Sequence, residues 1–343
     1  METKNYSAWK INSEDFYQFN SWADRLRFLV GFAILAPSAN NTQPWRFKIE
    51  NERLLIFPNW NRSFRVGDAN HRQVYVSLGC ALENILIAAD FYGLNIRLEL
   101  LPLGEGGPAA ELVFSGGDGL PKRKENHLIF SIPKRSTNRH NYENKMPEGS
   151  FFTWVKSFTN LETRVDLVGE PVKRDALAEV VVEANVAAMD DARFRRELFP
   201  YIKSNYTRSG VGMPGFVLGM KPILSLVAGW LVKFFSPVRQ NKEKDLFMLK
   251  NHTPVFAVIS SKEDRPAAWL KVGQIFQRIS LEAARHGLAT GPYSAPIQFG
   301  KYYEEIQKIL GVNLRPQFIF RVGYPQTKYL SHTPRLLPEE VIG

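Results

Sequence analysis

The stretch LKVGQIFQRISLEAARHGLAT, residues 270–290, lies over VSLGCALENILIAADFYGLNI, residues 76–96, at a constant offset of 194 positions. Gly79 meets Gly273, Ile85 meets Ile279, Ala89 meets Ala283, and Gly93-Leu94 meets Gly287-Leu288. The segments are strongly apolar at helical spacing, and each ends in a glycine that suits a left-handed C-terminal cap. The next strand-like runs echo one another too: AELVFSGG (110–117) and PQFIFRVG (316–323) share Phe114/Phe320 and Gly117/Gly323. Two matched elements in one order predict an internal duplication, the alternative being that buried helices ending in Gly-Leu simply look alike. A helix apolar on nearly all sides packs in the middle of a molecule, so the pair predicts a pseudo-twofold interface.

Outward from these helices, WADRLRFLVGFAILA (22–36) has helical apolar spacing. WRFKIE (45–50) and RLLIFP (53–58), parted by the turn Asn51-Glu52, read as a hairpin. The polar, basic stretch at 118–133 predicts the boundary, giving halves 1–125 and 126–343 with a lid-like insertion at about 205–250.

The chain of 343 residues, 44% hydrophobic and 23% charged, has the composition of a globular protein. Its one cysteine, Cys80, excludes a disulfide framework, argues for a reducing compartment and reads as a small core residue. The net charge of +10 favours an anionic ligand or surface. Nucleic acid is not expected, because the basic groups at 121–127 and 193–208 lack an interleaved aromatic platform. The opening METKNYSAWKINSEDF has no apolar signal core, so the cytoplasm is expected. GVGMPGFVLGMKPILSLVAGWLVKFF (210–235) is broken by Lys221-Pro222 and falls short of the roughly 20 apolar residues of a bilayer span. It predicts no transmembrane segment, leaving a buried helix, a lid or a membrane-surface element. The six histidines lack metal-site spacing, so no metal is expected.

Three segments carry the chemistry. In APSANNTQPWRFKI (36–49), Pro37 and Pro44 restrict the backbone while Ser38, Asn40, Asn41 and Gln43 cluster polar donors and acceptors. That mix suits a ligand rich in carbonyl and ring-nitrogen groups, or an ordinary helix-to-strand turn. In PKRSTNRHNYE (133–143) an extended backbone would set Arg135, Thr137 and Arg139 in one row. Such a row suits a phosphate dianion; the same residues also fit a solvated loop. In GLATGPYSAPIQ (287–298), Gly291, Pro292 and Pro296 shape a loop that either presents the Ser294 and Ala295 amides to a ligand or merely joins helix to strand.

Taken together with RPQFIFRVGYP (315–325), these segments resemble the FMN-dependent nitroreductase family, and especially its Acg-like branch, in which one chain holds two nitroreductase-like halves. The resemblance spans most of residues 22–343. It implies an α+β, nitroreductase-like fold, internally duplicated as a pseudo-dimer, with helices packed around antiparallel-type sheets. It implies FMN at the interface of the halves, the phosphate held by Arg135, Ser136 and Thr137 with Arg335 as a further partner. Arg139 would lie nearer the ribityl chain or pyrimidine edge. Pro37, Ser38, Asn40, Asn41 and Gln43 would meet the ring and ribityl chain from the other half, and Pro292, Tyr293, Ser294 and Ala295 would lie along the flavin.

The chain departs from many nitroreductases where Ser294 and Ala295 replace an acidic residue and a glycine. No catalytic side chain is expected, since hydride transfer to a flavin is the cofactor's chemistry. The implied activity is NAD(P)H-dependent reduction of quinone or nitro compounds. The alternative is an FMN-storing or sensing protein whose lid permits little turnover. Expected partners are FMN and a small electron acceptor, with one complete FMN site per chain, in a monomeric pseudo-dimer or a homodimer.

Overall fold

The computed structural model describes residues 4–115, 127–236, 238–327 and 331–343. Gly117, the basic residues 121–126 and most of the boundary stretch 118–133 lie outside the described residues.

In the first half, helix α1 (Trp22–Ala33) precedes the hairpin β1 (Trp45–Glu50) and β2 (Arg53–Pro58). Helix α2 (Arg72–Phe91) and strands β3 (Asn95–Leu100) and β4 (Ala110–Ser115) follow. In the second, α3 (Gly149–Lys156) and β5 (Thr163–Val168) lead into a long excursion. It holds α4 (Pro171–Asp190), α5 (Ala192–Leu198), the short β6 (Ile202–Lys203) and β7 (Met213–Pro214), α6 (Pro222–Phe234) and α7 (Val238–Asn251). The chain returns through β8 (Val255–Ser261), α8 (Pro266–Arg285), β9 (Ala289–Tyr293), α9 (Ala295–Gln298), α10 (Tyr302–Leu310) and β10 (Arg315–Gly323).

Each half contributes an antiparallel four-stranded sheet, ordered β1-β2-β4-β3 and β5-β8-β10-β9. Replacing β1, β2, β3 and β4 by β5, β8, β9 and β10 leaves the strand order unchanged, so the halves share one sheet topology. The difference lies in the first connection: β1 and β2 are joined by Asn51-Glu52, whereas residues 169–254 separate β5 from β8. The excursion is thus longer than the insertion expected at 205–250.

Helices α2 and α8 pack against each other at the centre. A Cβ on Gly79 would sit 2.0 Å from the Leu270 carbonyl oxygen, and one on Gly273 would sit 2.1 Å from that of Val76. The 194-residue offset exchanges these two contacts. It also exchanges the Arg278–Glu83 ion pair with the Gln277–Asn84 hydrogen bond, whose donor distances are 2.7 and 2.6 Å. The crossing is therefore pseudo-twofold in its contacts. Among the described residues α2 alone is long and apolar enough to cross a membrane, and it is buried in this core.

After β10 the chain crosses back to the first half. Phe47 donates to the Val341 carbonyl at 2.8 Å, Gly343 donates to that of Phe47 at 3.0 Å, and Arg335 N–H reaches the Asn5 carbonyl at 2.8 Å. This return brings Arg335 beside the end of α1.

Candidate functional site

The 36–44 turn is tightly specified. Asn40, Asn41 and Gln43 all have left-handed backbones, with φ of 49°, 56° and 52°, a conformation asparagine tolerates best among non-glycine residues. Ser38 Oγ accepts from Gln43 N–H at 3.0 Å and closes the turn. Asn41 Nδ2 donates to the Gly212 and Pro334 carbonyls, each at 2.9 Å, while its Oδ1 accepts from Arg335 Nη1 at 2.7 Å. Gln43 is wholly buried, donating to the Gly210 carbonyl at 2.6 Å and accepting from Leu336 N–H at 3.1 Å.

The second segment joins the sheet beside β9. Thr137 bridges Thr290 in parallel, and Asn138 N–H reaches the Thr290 carbonyl at 2.9 Å. Gly291 makes this approach possible, because a Cβ there would lie 2.4 Å from the Asn138 carbonyl oxygen. The pairing extends the backbone, and Arg135, Thr137 and Arg139 share one cavity wall.

A cavity of about 530 Å³ opens between the halves. Pro37, Ser38 and Asn40 line it with Val76, Ser77 and Cys80 of α2. Thr137, Arg139, Pro292, Tyr293, Ser294 and Arg321 line it from the second half. Its remaining wall comes from the long excursion, with Met189, Leu198, Met213, Leu218, Val232 and Met248. Adjoining it is a cleft of about 30 Å³ lined by Ser38, Asn41, Arg135, Ser136, Thr137, Arg139 and Arg335.

That cleft is the electrostatic centre of the site. Arg135 and Arg335 are 3% and 2% exposed, and neither has a carboxylate partner among the described residues. Their Nη2 atoms converge on one acceptor, the Leu35 carbonyl, each at 3.4 Å. Arg135 Nε, Arg335 Nε and Ser136 Oγ are buried without a hydrogen-bond partner. Burying unpaired charge costs several kcal/mol per ion. Burial, eased by the Cys80 thiol and worsened by Arg139, lowers Arg135 to about 10. Burial, then the charge of Arg135, puts Arg335 well below its ordinary value. His332, stacked on Trp9 at 4.0 Å, falls to about 4 through burial and then the same two arginines. A bound anion would remove these penalties together.

Two expected residues do not line either cavity. The Gln43 amide is consumed in holding Gly210 and Leu336, and Ala295 is buried where α9 begins. Asn41 faces the cleft, but its side chain is spent orienting Arg335. The sequence reading missed Arg321, fully buried on β10. It donates to the His140 carbonyl at 3.2 Å and lies 4.7 Å from the Tyr142 ring centre, with Nε unpartnered. The signal was an arginine inside the apolar run FIFRVG. Asn138, with Nδ2 unpartnered, and Asp245, whose carboxyl is raised by burial, also line the cavity.

Residues 167–324 match the family model described as "Nitroreductase family". The Mycobacterium tuberculosis protein named "Putative NAD(P)H nitroreductase Rv3131" is 24% identical over 326 residues, covering 93% of this chain and 91% of that one. A second M. tuberculosis protein, with the same designation and the name acg, is 22% identical over 88% of this chain and 89% of its own. The chain is similar to members of the nitroreductase family. Among solved structures, the chain aligns with a nitroreductase from Bacteroides fragilis described as having bound FMN. That match has 14% identity and a TM-score of 0.41 over 62% of this chain and 95% of that one. The nitroreductase relatives of the Acg type extend over both halves, whereas the family model covers only the second.

Proposed function

We propose that the protein is an FMN-binding oxidoreductase that uses NAD(P)H to reduce a quinone or nitro compound. The observation that carries this reading is the buried Arg135–Arg335 pair, without a carboxylate, at the edge of a cavity of about 530 Å³. Two guanidinium groups with free Nε donors and an unpartnered Ser136 hydroxyl fit a phosphate dianion. The cavity is of the size that encloses most of a small ligand.

On this reading Arg135, Ser136, Thr137 and Arg335 hold the phosphate. Pro37, Ser38, Asn40, Arg139, Pro292, Tyr293 and Ser294 face the rest of the cofactor. When bound, FMN would supply hydride acceptance from the nicotinamide and delivery to the acceptor. The protein's part is to bind, orient and exclude water. Arg139 and Arg321 add positive charge to the larger cavity, suiting a site where negative charge gathers. The match of residues 167–324 to the family model and the names of the relatives support the same reading.

A second reading, an FMN-holding protein with little turnover, is favoured by one feature. Glu197 clamps the excursion to the first half by accepting from the Arg65, Val66 and Gly67 backbone N–H groups at 2.8–3.2 Å. The blue absorbance of FMN-reconstituted protein during anaerobic addition of NADPH, then NADH, separates the two. Bleaching, with turnover on menadione, supports the reductase; a persistent band supports the holding protein; no retained flavin overturns both.

A further inference from the structure

Helix α6 hides little of itself. Ser225, Ala228 and Val232 are its buried residues, Val232 lining the cavity. Its other side and end show Ile223, Leu224, Leu226, Val227, Trp230, Leu231, Phe234 and Phe235 to solvent, each more than 40% exposed. Single exposed apolar residues need no explanation, but a contiguous face of aliphatic and aromatic side chains marks an interaction surface. At thirteen residues the helix is too short to span a bilayer.

Charge decides what covers it. Residues 199–251 carry eight lysines and arginines against two acids, in a chain of net charge +10. Lys242 and Lys250 are paired with Glu183 and Glu179 of α4. Lys221 at the start of α6 and Lys233 near its end have no carboxylate partner among the described residues. The Lys233 ammonium lies 4.9, 5.0 and 5.4 Å from the Phe199, Trp230 and Phe234 ring centres, so a positive charge sits among the aromatic side chains of this face, on a stem long enough to extend to its rim. A second copy would bring two basic rims together. An anionic lipid headgroup layer instead offers opposite charge at the rim and hydrocarbon below.

We propose that α6 docks in the headgroup region of an anionic bilayer, with Trp230, Phe234 and the neighbouring aliphatic residues immersed and Lys221 and Lys233 on the phosphates. The proposal does not rest on the cofactor assignment.

The test uses the full chain and sedimentation with vesicles of phosphatidylcholine alone or with about a third phosphatidylglycerol. The expected result is at least roughly tenfold more protein pelleting with the anionic vesicles, falling as salt rises. Trp230→Ser with Phe234→Ser should abolish pelleting, and Lys221→Glu with Lys233→Glu should remove the preference for anionic lipid. Melting curves matching the parent would show that both variants fold. No pelleting, or pelleting unaffected by the aromatic substitutions, overturns the proposal. So does a dimer in light scattering that the aromatic variant dissolves while vesicles remain unbound, since the face then belongs to a second copy.

Discussion

Arg135 and Arg335 point at one carbonyl oxygen and repel each other, which leaves the cleft with two buried positive charges and, on the proposed reading, a place for an anion. Removing one charge-assisted pair costs about 1.5–3 kcal/mol. Arg135→Met should therefore weaken FMN binding by roughly 10- to 100-fold. Riboflavin, which lacks the phosphate, should bind the variant as it binds the parent, and fluorescence-quenching titrations of both flavins check this. His332 gives a pH signature. Its folded value of about 4 lies below the ordinary 6.5, so protons favour the unfolded chain and stability falls as pH drops from about 6.5 towards 4, by at most about 1.4 kcal/mol per unit. Asp68, raised to about 6 by burial, slopes the other way: its contribution is present at low pH and lost as pH rises from about 4 to 6. His332→Phe, which keeps a ring on Trp9, should lose the acid-side fall and show a smaller drop in urea midpoint between pH 7 and 5 than the parent. The Arg135–Arg139 row was legible because alternation along an extended chain needs only adjacent residues. Gln43 and Arg321 were not. Polarity does not tell which way a side chain turns at a left-handed residue, and one arginine among phenylalanines gains meaning only when the sheet places it at a cavity.

Single elements carry the geometry of the site. The 137–138 segment lies against β9 only because Gly291 lacks a side chain. Gly291→Ala should force the two apart, costing about 1–3 kcal/mol of stability and weakening FMN binding as well. Thermal melts with and without FMN measure both effects. The hairpin β1–β2 and the helices α1 and α2 were readable from turn residues and local apolar spacing. The pairing of β5 with β8 was not, because the chain between them, 169–254, carries four helices and no local pattern links its ends. The Glu197 clamp is hidden for the same reason: its three donors come from residues 65–67, far away in sequence.

At the scale of the whole molecule, the 194-residue offset seen in the sequence reappears as reciprocal contacts between α2 and α8, with Gly79 and Gly273 at the crossing. Gly79→Ala would drive a methyl group into the Leu270 carbonyl and should lower stability by about 3 kcal/mol, read as a lower denaturant midpoint. The symmetry does not extend to the ligand site. The counterparts of the cavity-lining Val76, Ser77 and Cys80 are Leu270, Lys271 and Gln274, and Gln274 is held by Glu83 at 3.0 Å. FMN titration should therefore saturate near one equivalent per chain, and two equivalents would overturn the single-site reading. The Gly79–Gly273 crossing has another consequence. Both of its helices belong to one polypeptide, so mass action cannot separate them: each half meets its counterpart at a local concentration fixed by the tether rather than by expression level. A two-chain assembly with the same contact would melt at lower temperature on dilution, whereas here the contact between the halves is independent of dose.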